Sequence, residues 1–185
     1  LARRSYKAFQ DTPIDPEVLE TILEAGRYAP TGMNKQPWHF TVINTPEGRA
    51  KFSELMCKFN AEVPPAPLPP GFKPIPPAPG VVIKPDEQFR GAPVCIIVSG
   101  NPDISPNYLL DCVLATENLY IAAASLGIMS GWSHRTTKDF VAREENRRAF
   151  GIPEGYVVCS ASFFGYPVGD AKDRGPRKED TVNWF

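Results

Sequence analysis

The chain has 185 residues, 42% of them hydrophobic, with 20 basic and 21 acidic side chains, a net charge of −1 and a pI near 6.2. That length suits a single domain over residues 1–185 with a sizeable core. The balanced charge gives no basic field to gather nucleic acid or an anionic membrane surface. Cys57, Cys95, Cys112 and Cys159 are scattered, with no CxxC pair or Cys/His cluster. This spacing argues against zinc and iron–sulfur sites and fits a reducing cytoplasm. No run of about 18 apolar residues offers a membrane span. No signal peptide is visible, and because the sequence opens at Leu1 the question of targeting stays open.

In chain order, residues 1–9 (LARRSYKAF) come first, with Arg3, Arg4 and Lys7 grouped around the Ser5 hydroxyl. Charged donors beside a hydroxyl are what a phosphate group needs, although the same residues also describe a solvated basic terminus. Asp15-Pro16-Glu17 predicts a helix start: an N-cap, a proline at the first helical position and an acid in the first turn. Val18, Leu19, Ile22, Leu23 and Ala25 carry the helical period, which fades before Pro30. The turn that follows, Ala29 to Gln36 (APTGMNKQ), is rich in backbone and side-chain amides, and Thr31 and Asn34 supply a hydroxyl and a carboxamide suited to a polar heterocycle. Residues 38–44 (WHFTVIN) have strand composition, and Thr45-Pro46-Glu47 repeats the capping logic for a second helix toward Phe59.

Residues 62–85 hold ten of the 21 prolines, together with Gly71 and Gly80. Proline fixes φ and removes a donor, so this stretch is expected as a long loop or flap, or else as a linker between two domains. Its Phe72, and Phe89 just beyond it, are candidates to stack on a substrate or to pin the loop to the core. Residues 93–99 (PVCIIVS) predict a strand buried on both faces. Residues 107–126 predict a helix apolar on nearly all sides, with Gly127 as its C-cap, which in a chain this short points to a subunit interface. A short bridge at 128–132, a charged amphipathic helix over 137–150 and a strand over 156–165 complete the chain. Strands and helices do not alternate regularly, so the expected class is α+β: a mixed central sheet flanked by helices, with a long Pro-rich loop. The two histidines, His39 and His134, leave no room for a Ser/His/Asp triad, and no glycine-rich dinucleotide fingerprint follows a strand.

The R-R-S-Y-K-A-F opening and A-P-T-G-M-N-K-Q-P-W, taken together, resemble the FMN-dependent nitroreductase family. Gly127 to His134 (GIMSGWSH), Gly151 to Gly155 (GIPEG) and Gly165-Tyr166-Pro167 extend the likeness. The resemblance implies that Arg3 and Ser5 bind the phosphate and ribityl chain of FMN, that Arg4 belongs to the same cofactor site and that Lys7 reaches the ring. A cation there would favour the negative charge of the reduced flavin. It implies that Pro30, Thr31, Gly32 and Asn34 approach the flavin from the other subunit of a homodimer. Trp132, Ser133 and His134 would lie beside the ring, with a backbone amide facing its hydride-accepting nitrogen; His134 as a general acid is a second reading. Lys172 and Arg174 would complete the phosphate clamp. The implied activity is ping-pong hydride transfer from NAD(P)H to a nitroaromatic, quinone or flavin-like acceptor, with the chemistry borne by the flavin and no catalytic side chain or metal. Two alternatives stand beside it: specialised flavin chemistry such as dehalogenation or flavin cleavage, and non-catalytic FMN storage or sensing.

Overall fold

The computed structural model describes residues 3–64, 67, 89–170, 175–179 and 181–185. Its order is α1 (Pro16–Arg27), β1 (Trp38–Ile43), α2 (Pro46–Glu62), β2 (Val94–Gly100), α3 (Tyr108–Ser125), β3 (Met129–Trp132), α4 (Glu144–Ala149) and β4 (Val157–Gly165). Both proline-led helices start where their caps direct. The Asp15 carboxylate accepts from the Glu17 amide at 2.8 Å, and Thr45 Oγ1 accepts from the Gly48 amide at 3.1 Å. Beyond Ser125 the chain leaves α3 through Gly127, whose φ of +76° is the left-handed conformation that glycine tolerates at a helix end.

The strands run in the order β1-β2-β4-β3, and each neighbouring pair is antiparallel. A parallel bridge between Ser5 and Ser130 on the outer side of β3 makes the assembly mixed. Every residue of β2 is buried, as its unbroken apolar run requires of a central strand. One face of the sheet carries α1 and α3 over Val94, Ile96, Val98 and Phe164. The other carries α2 and an aromatic cluster in which Phe52 packs against Phe89, Phe140, Phe150 and Phe163. Phe89 is therefore a core residue that pins its segment, not a stacking platform. Phe72 and nearly all of the expected loop at 62–85 lie outside the described residues; Glu62 itself closes α2.

Two expectations are corrected. The bridge at 128–132 contains a true strand, β3. The single helix expected over 137–150 is two pieces, a π-helical turn at Thr136–Phe140 and α4 at Glu144–Ala149. Arg143 breaks it with extended backbone (ψ 138°), because its guanidinium lies 4.6 Å from the centroid of Phe59 and pairs with Glu62 at the end of α2. Asn146 then donates to the Phe140 carbonyl and satisfies the end of the first piece.

Helix α3 is apolar on its outer side as well as its inner one. Leu109, Leu110, Val113, Leu114 and Ile121 are exposed, while Cys112, Ala115, Leu119 and Ala123 are buried. Among the described residues no helix is long and apolar enough to cross a membrane, and no group of acidic, histidine or cysteine side chains is placed to hold a metal ion.

Candidate functional site

The basic opening segment is fixed to the sheet by its backbone. The Tyr6 amide donates to the Ser130 carbonyl at 3.0 Å, and two residues on Ala8 and Phe9 turn into the core. Gly131 permits this approach, since a Cβ there would stand 2.4 Å from the Tyr6 carbonyl oxygen. Held this way, Ser5 and Lys7 face solvent while Arg3 and Arg4 are half-buried. The Arg3 guanidinium lies 3.4 Å from Glu117, in the middle of the outer stripe of α3. Sequence reasoning missed Glu117; its signal was a lone carboxylate on an otherwise apolar helix face.

The second segment has an unusual backbone. Thr31 leads into a short 3₁₀ turn at Gly32–Asn34, and Met33, Asn34 and Gln36 have φ of +54°, +54° and +45°. Three non-glycine residues in the left-handed region within four positions are costly, and such strain gathers at ligand sites. Thr31 and Asn34 hold the loop themselves: Thr31 Oγ1 accepts from the Gln36 amide at 3.2 Å and Asn34 Oδ1 from Gln36 Nε2 at 3.1 Å. Pro30, Gly32 and Asn34 are exposed, as are the large side chains of Tyr28 and Met33.

A single chain does not bring these two segments together. Trp38, two residues beyond the second segment, pairs with Gly100, which pairs with Val157 at the start of β4. Ser130, which holds the first segment, pairs with Phe164 near the end of β4. Three strand spacings across and seven residues along place the two at diagonally opposite corners, roughly 25 Å apart. The bond from Gln36 to Thr31 keeps the second segment compact, so it does not reach back over that gap.

The segment after β3 joins the first corner. Trp132 is exposed and meets His134 edge-on at 5.4 Å between ring centroids. The Ser133 amide is already committed to the Ala161 carbonyl, and its hydroxyl caps the following turn through Thr136. Of the two residues after the tryptophan, His134 is therefore the one whose amide stands at the first helical position. Lys172 and Arg174 lie outside the described residues. Burial pushes the Tyr120 hydroxyl up to about 12, although Ser162 hydrogen-bonds it from β4.

Comparison with known proteins identifies the family. The profile of the Nitroreductase family matches residues 1–166. A chain from Archaeoglobus fulgidus assigned as an NADH dehydrogenase/NAD(P)H nitroreductase is 34% identical over 179 residues, spanning 92% of this chain and 84% of its own. One of the same description from Methanothermobacter thermautotrophicus is 31% identical over 185 residues, spanning 98% and 82%. Among solved structures, a nitroreductase with bound FMN from Bacteroides fragilis superposes with a TM-score of 0.76 at 26% identity, spanning 100% of this chain and 95% of that one. The family profile and these near full-length relatives agree with the sequence motifs, and the chain belongs to the Nitroreductase family.

Proposed function

We propose that this chain is an FMN-dependent NAD(P)H oxidoreductase that works as a homodimer, each flavin lying between the first corner of one protomer and the second corner of its partner. The observation that carries this reading is the diagonal separation of the two polar segments, each beside exposed apolar surface. The Arg3 corner adjoins the outer stripe of α3, and the Thr31 corner carries Tyr28 and Met33. A twofold-symmetric pair brings two such halves together twice over, through a self-complementary contact that closes the assembly.

The residues present fit FMN. Arg3, Arg4 and the Ser5 hydroxyl offer charge-assisted donors to a phosphate, and Lys7 offers an exposed ammonium two residues along the same segment. The left-handed backbone at Met33 and Asn34 presents a pre-shaped rim. Gly131 lets the first segment lie against β3, and the His134 amide heads the turn beside it. Lys172 and Arg174 are assigned here to the phosphate end. When bound, the flavin supplies hydride transfer from NAD(P)H to a small oxidised acceptor such as a nitroaromatic or quinone, in ping-pong order. The chain's own part is to bind, to orient and to place the Lys7 charge where reduction builds negative charge. No side chain acts as a nucleophile.

Anaerobic titration of the flavin-loaded protein with NADH and NADPH, followed by visible absorbance, tests the activity. Bleaching that reverses on adding a quinone is expected; a flavin that stays oxidised would mark a storage protein. Leu114→Lys tests the assembly, since it places an unpaired cation on the apolar stripe. The variant should elute as a monomer without flavin, whereas a folded monomer that retains FMN would overturn the shared site.

A further inference from the structure

Helix α3 lies over β4 through a ladder of polar rungs. Thr116 Oγ1 and Ser160 Oγ are 2.8 Å apart, and one turn later the Tyr120 hydroxyl meets Ser162 Oγ. One turn earlier the same position is Cys112, which the Cys159 thiol neighbours closely enough for each to shift the other's titration. Strand β4 bulges at this rung. Val98 pairs with Ser160 and Ser99 with Val158, so Cys159 is the extra residue between them. Cys159 packs with the cluster that contains Cys112, on the helix side of the sheet.

Gly100 closes the rung. A Cβ there would stand 2.7 Å from Cys112 Sγ, and Gly100 pairs with Val157, two residues before Cys159. Cys112 is fully buried, whereas Cys159 is only partly covered and reaches the surface. The other two cysteines are elsewhere. Cys95 is enclosed in the aromatic-side core, and Cys57 is on the exposed side of α2.

We propose that Cys112 and Cys159 are a dithiol that peroxide converts to an intramolecular disulfide joining α3 to β4. The neighbouring Cys112 thiol, helped by the Gly100 amide and opposed by burial, holds the Cys159 thiol below the usual range. In its protonated form that thiol donates to the Val157 carbonyl at 3.4 Å. The neighbouring Cys159 thiol and burial push the Cys112 thiol up. Cys159 is therefore the attacking sulfur and Cys112 the resolving one. The Cys159 thiolate attacks one oxygen of hydrogen peroxide, breaking the O–O bond to give a sulfenic acid and hydroxide. The Cys112 sulfur then attacks the Cys159 sulfur, the S–O bond breaks, and the oxygen leaves as water with the Cys112 proton and the hydroxyl hydrogen. The first step takes two electrons from Cys159 to reduce the peroxide. The second shares that oxidation between the two sulfurs. Neither step involves flavin, so the dithiol stands whether or not the proposed activity holds.

The experiment uses the full chain carrying Cys57→Ser, which removes the one exposed thiol outside the rung. Peroxide treatment is followed by alkylation in denaturant, intact mass and peptide mapping. Alkylatable thiols should fall from three to one, leaving Cys95. The Cys112 and Cys159 peptides should be joined with the loss of two hydrogens, and dithiothreitol should restore all three. With Cys112→Ser added, a dimedone-type trap should label Cys159 alone. Three free thiols after peroxide, an intermolecular bond, or oxidation of Cys159 that never links to Cys112 would each overturn the proposal. Should Cys112→Ser misfold, the peptide map of the Cys57→Ser protein decides alone.

Discussion

Gly131→Ala is the most direct test of how the first half-site is built. The added Cβ would stand 2.4 Å from the Tyr6 carbonyl oxygen, against about 3.4 Å for ordinary contact, so the N-terminal segment must retreat by about 1 Å. Both groups are backbone, and no side-chain rotation relieves the clash. A retreat of that size stretches the Tyr6–Ser130 bond from 3.0 Å to a length at which it no longer holds. The lost bond and the overpacking together should cost about 1–3 kcal/mol in urea unfolding. Flavin affinity should fall about tenfold, because Ser5 and Arg3 move with the segment. Gly127→Ala is the control. Its Cβ meets nothing within 4 Å, but its φ of +76° is strained for alanine, so stability should drop by about 1 kcal/mol without any loss of flavin. The reasoning fails if Gly131→Ala keeps parental stability and flavin affinity, or if the two variants behave alike.

Further outcomes follow from the rungs and the strained turn. The folded Tyr120 hydroxyl titrates near 12 against an ordinary value near 10, so its contribution is complete below pH 10 and is lost as pH rises from about 10 to about 12. Alkaline unfolding should lose on the order of 1–3 kcal/mol in that window, and Tyr120→Phe should flatten the slope; an unchanged slope would put another group in charge. Thr31→Ala removes the oxygen that accepts from the Gln36 amide. Hydrogen exchange at that amide should quicken roughly fivefold, equivalent to about 1 kcal/mol, and an unchanged rate would mean that the turn holds without the hydroxyl.

The parts of the fold that the sequence reveals are those set locally. Asp15 and Thr45 announce α1 and α2 because a cap acts within its own turn, and 93–99 reads as a central strand because β2 is apolar on both faces. The break at Arg143 is illegible because its cause is tertiary, a guanidinium seated on Phe59 more than 80 positions earlier in the chain. Strand β3 is four residues containing a glycine, and it is a strand only because β4 pairs with it. The Cys159 bulge likewise has no local mark, since it arises from the register of β4 against β2. For the candidate site, the residues themselves name two polar segments but not the distance between them. Strand order alone sends the two polar segments to opposite corners, and no spacing in the sequence encodes strand order.

Under the proposed assignment of Arg3 to the flavin phosphate, its pairing with Glu117 sets how ready that end is. At 3.4 Å, with side chains 35% and 55% exposed, the pair is worth about 0–1 kcal/mol in the isolated chain. A charge-assisted contact from arginine to phosphate is worth about 1.5–3 kcal/mol, so exchange of the carboxylate for a phosphate is favourable, but Glu117 competes. Glu117→Gln keeps the shape, removes the competing charge and should tighten flavin binding by up to about fivefold. Arg3→Ala should weaken it by about 10- to 100-fold, and adding Glu117→Gln to Arg3→Ala should then change little, because the carboxylate acts through Arg3. Flavin fluorescence titrations of the parent, both single variants and the double variant close this cycle. Weaker binding in Glu117→Gln would mean that the carboxylate orients Arg3 rather than competing for it. Equal gains in the presence and absence of Arg3 would place Glu117 outside the phosphate site altogether.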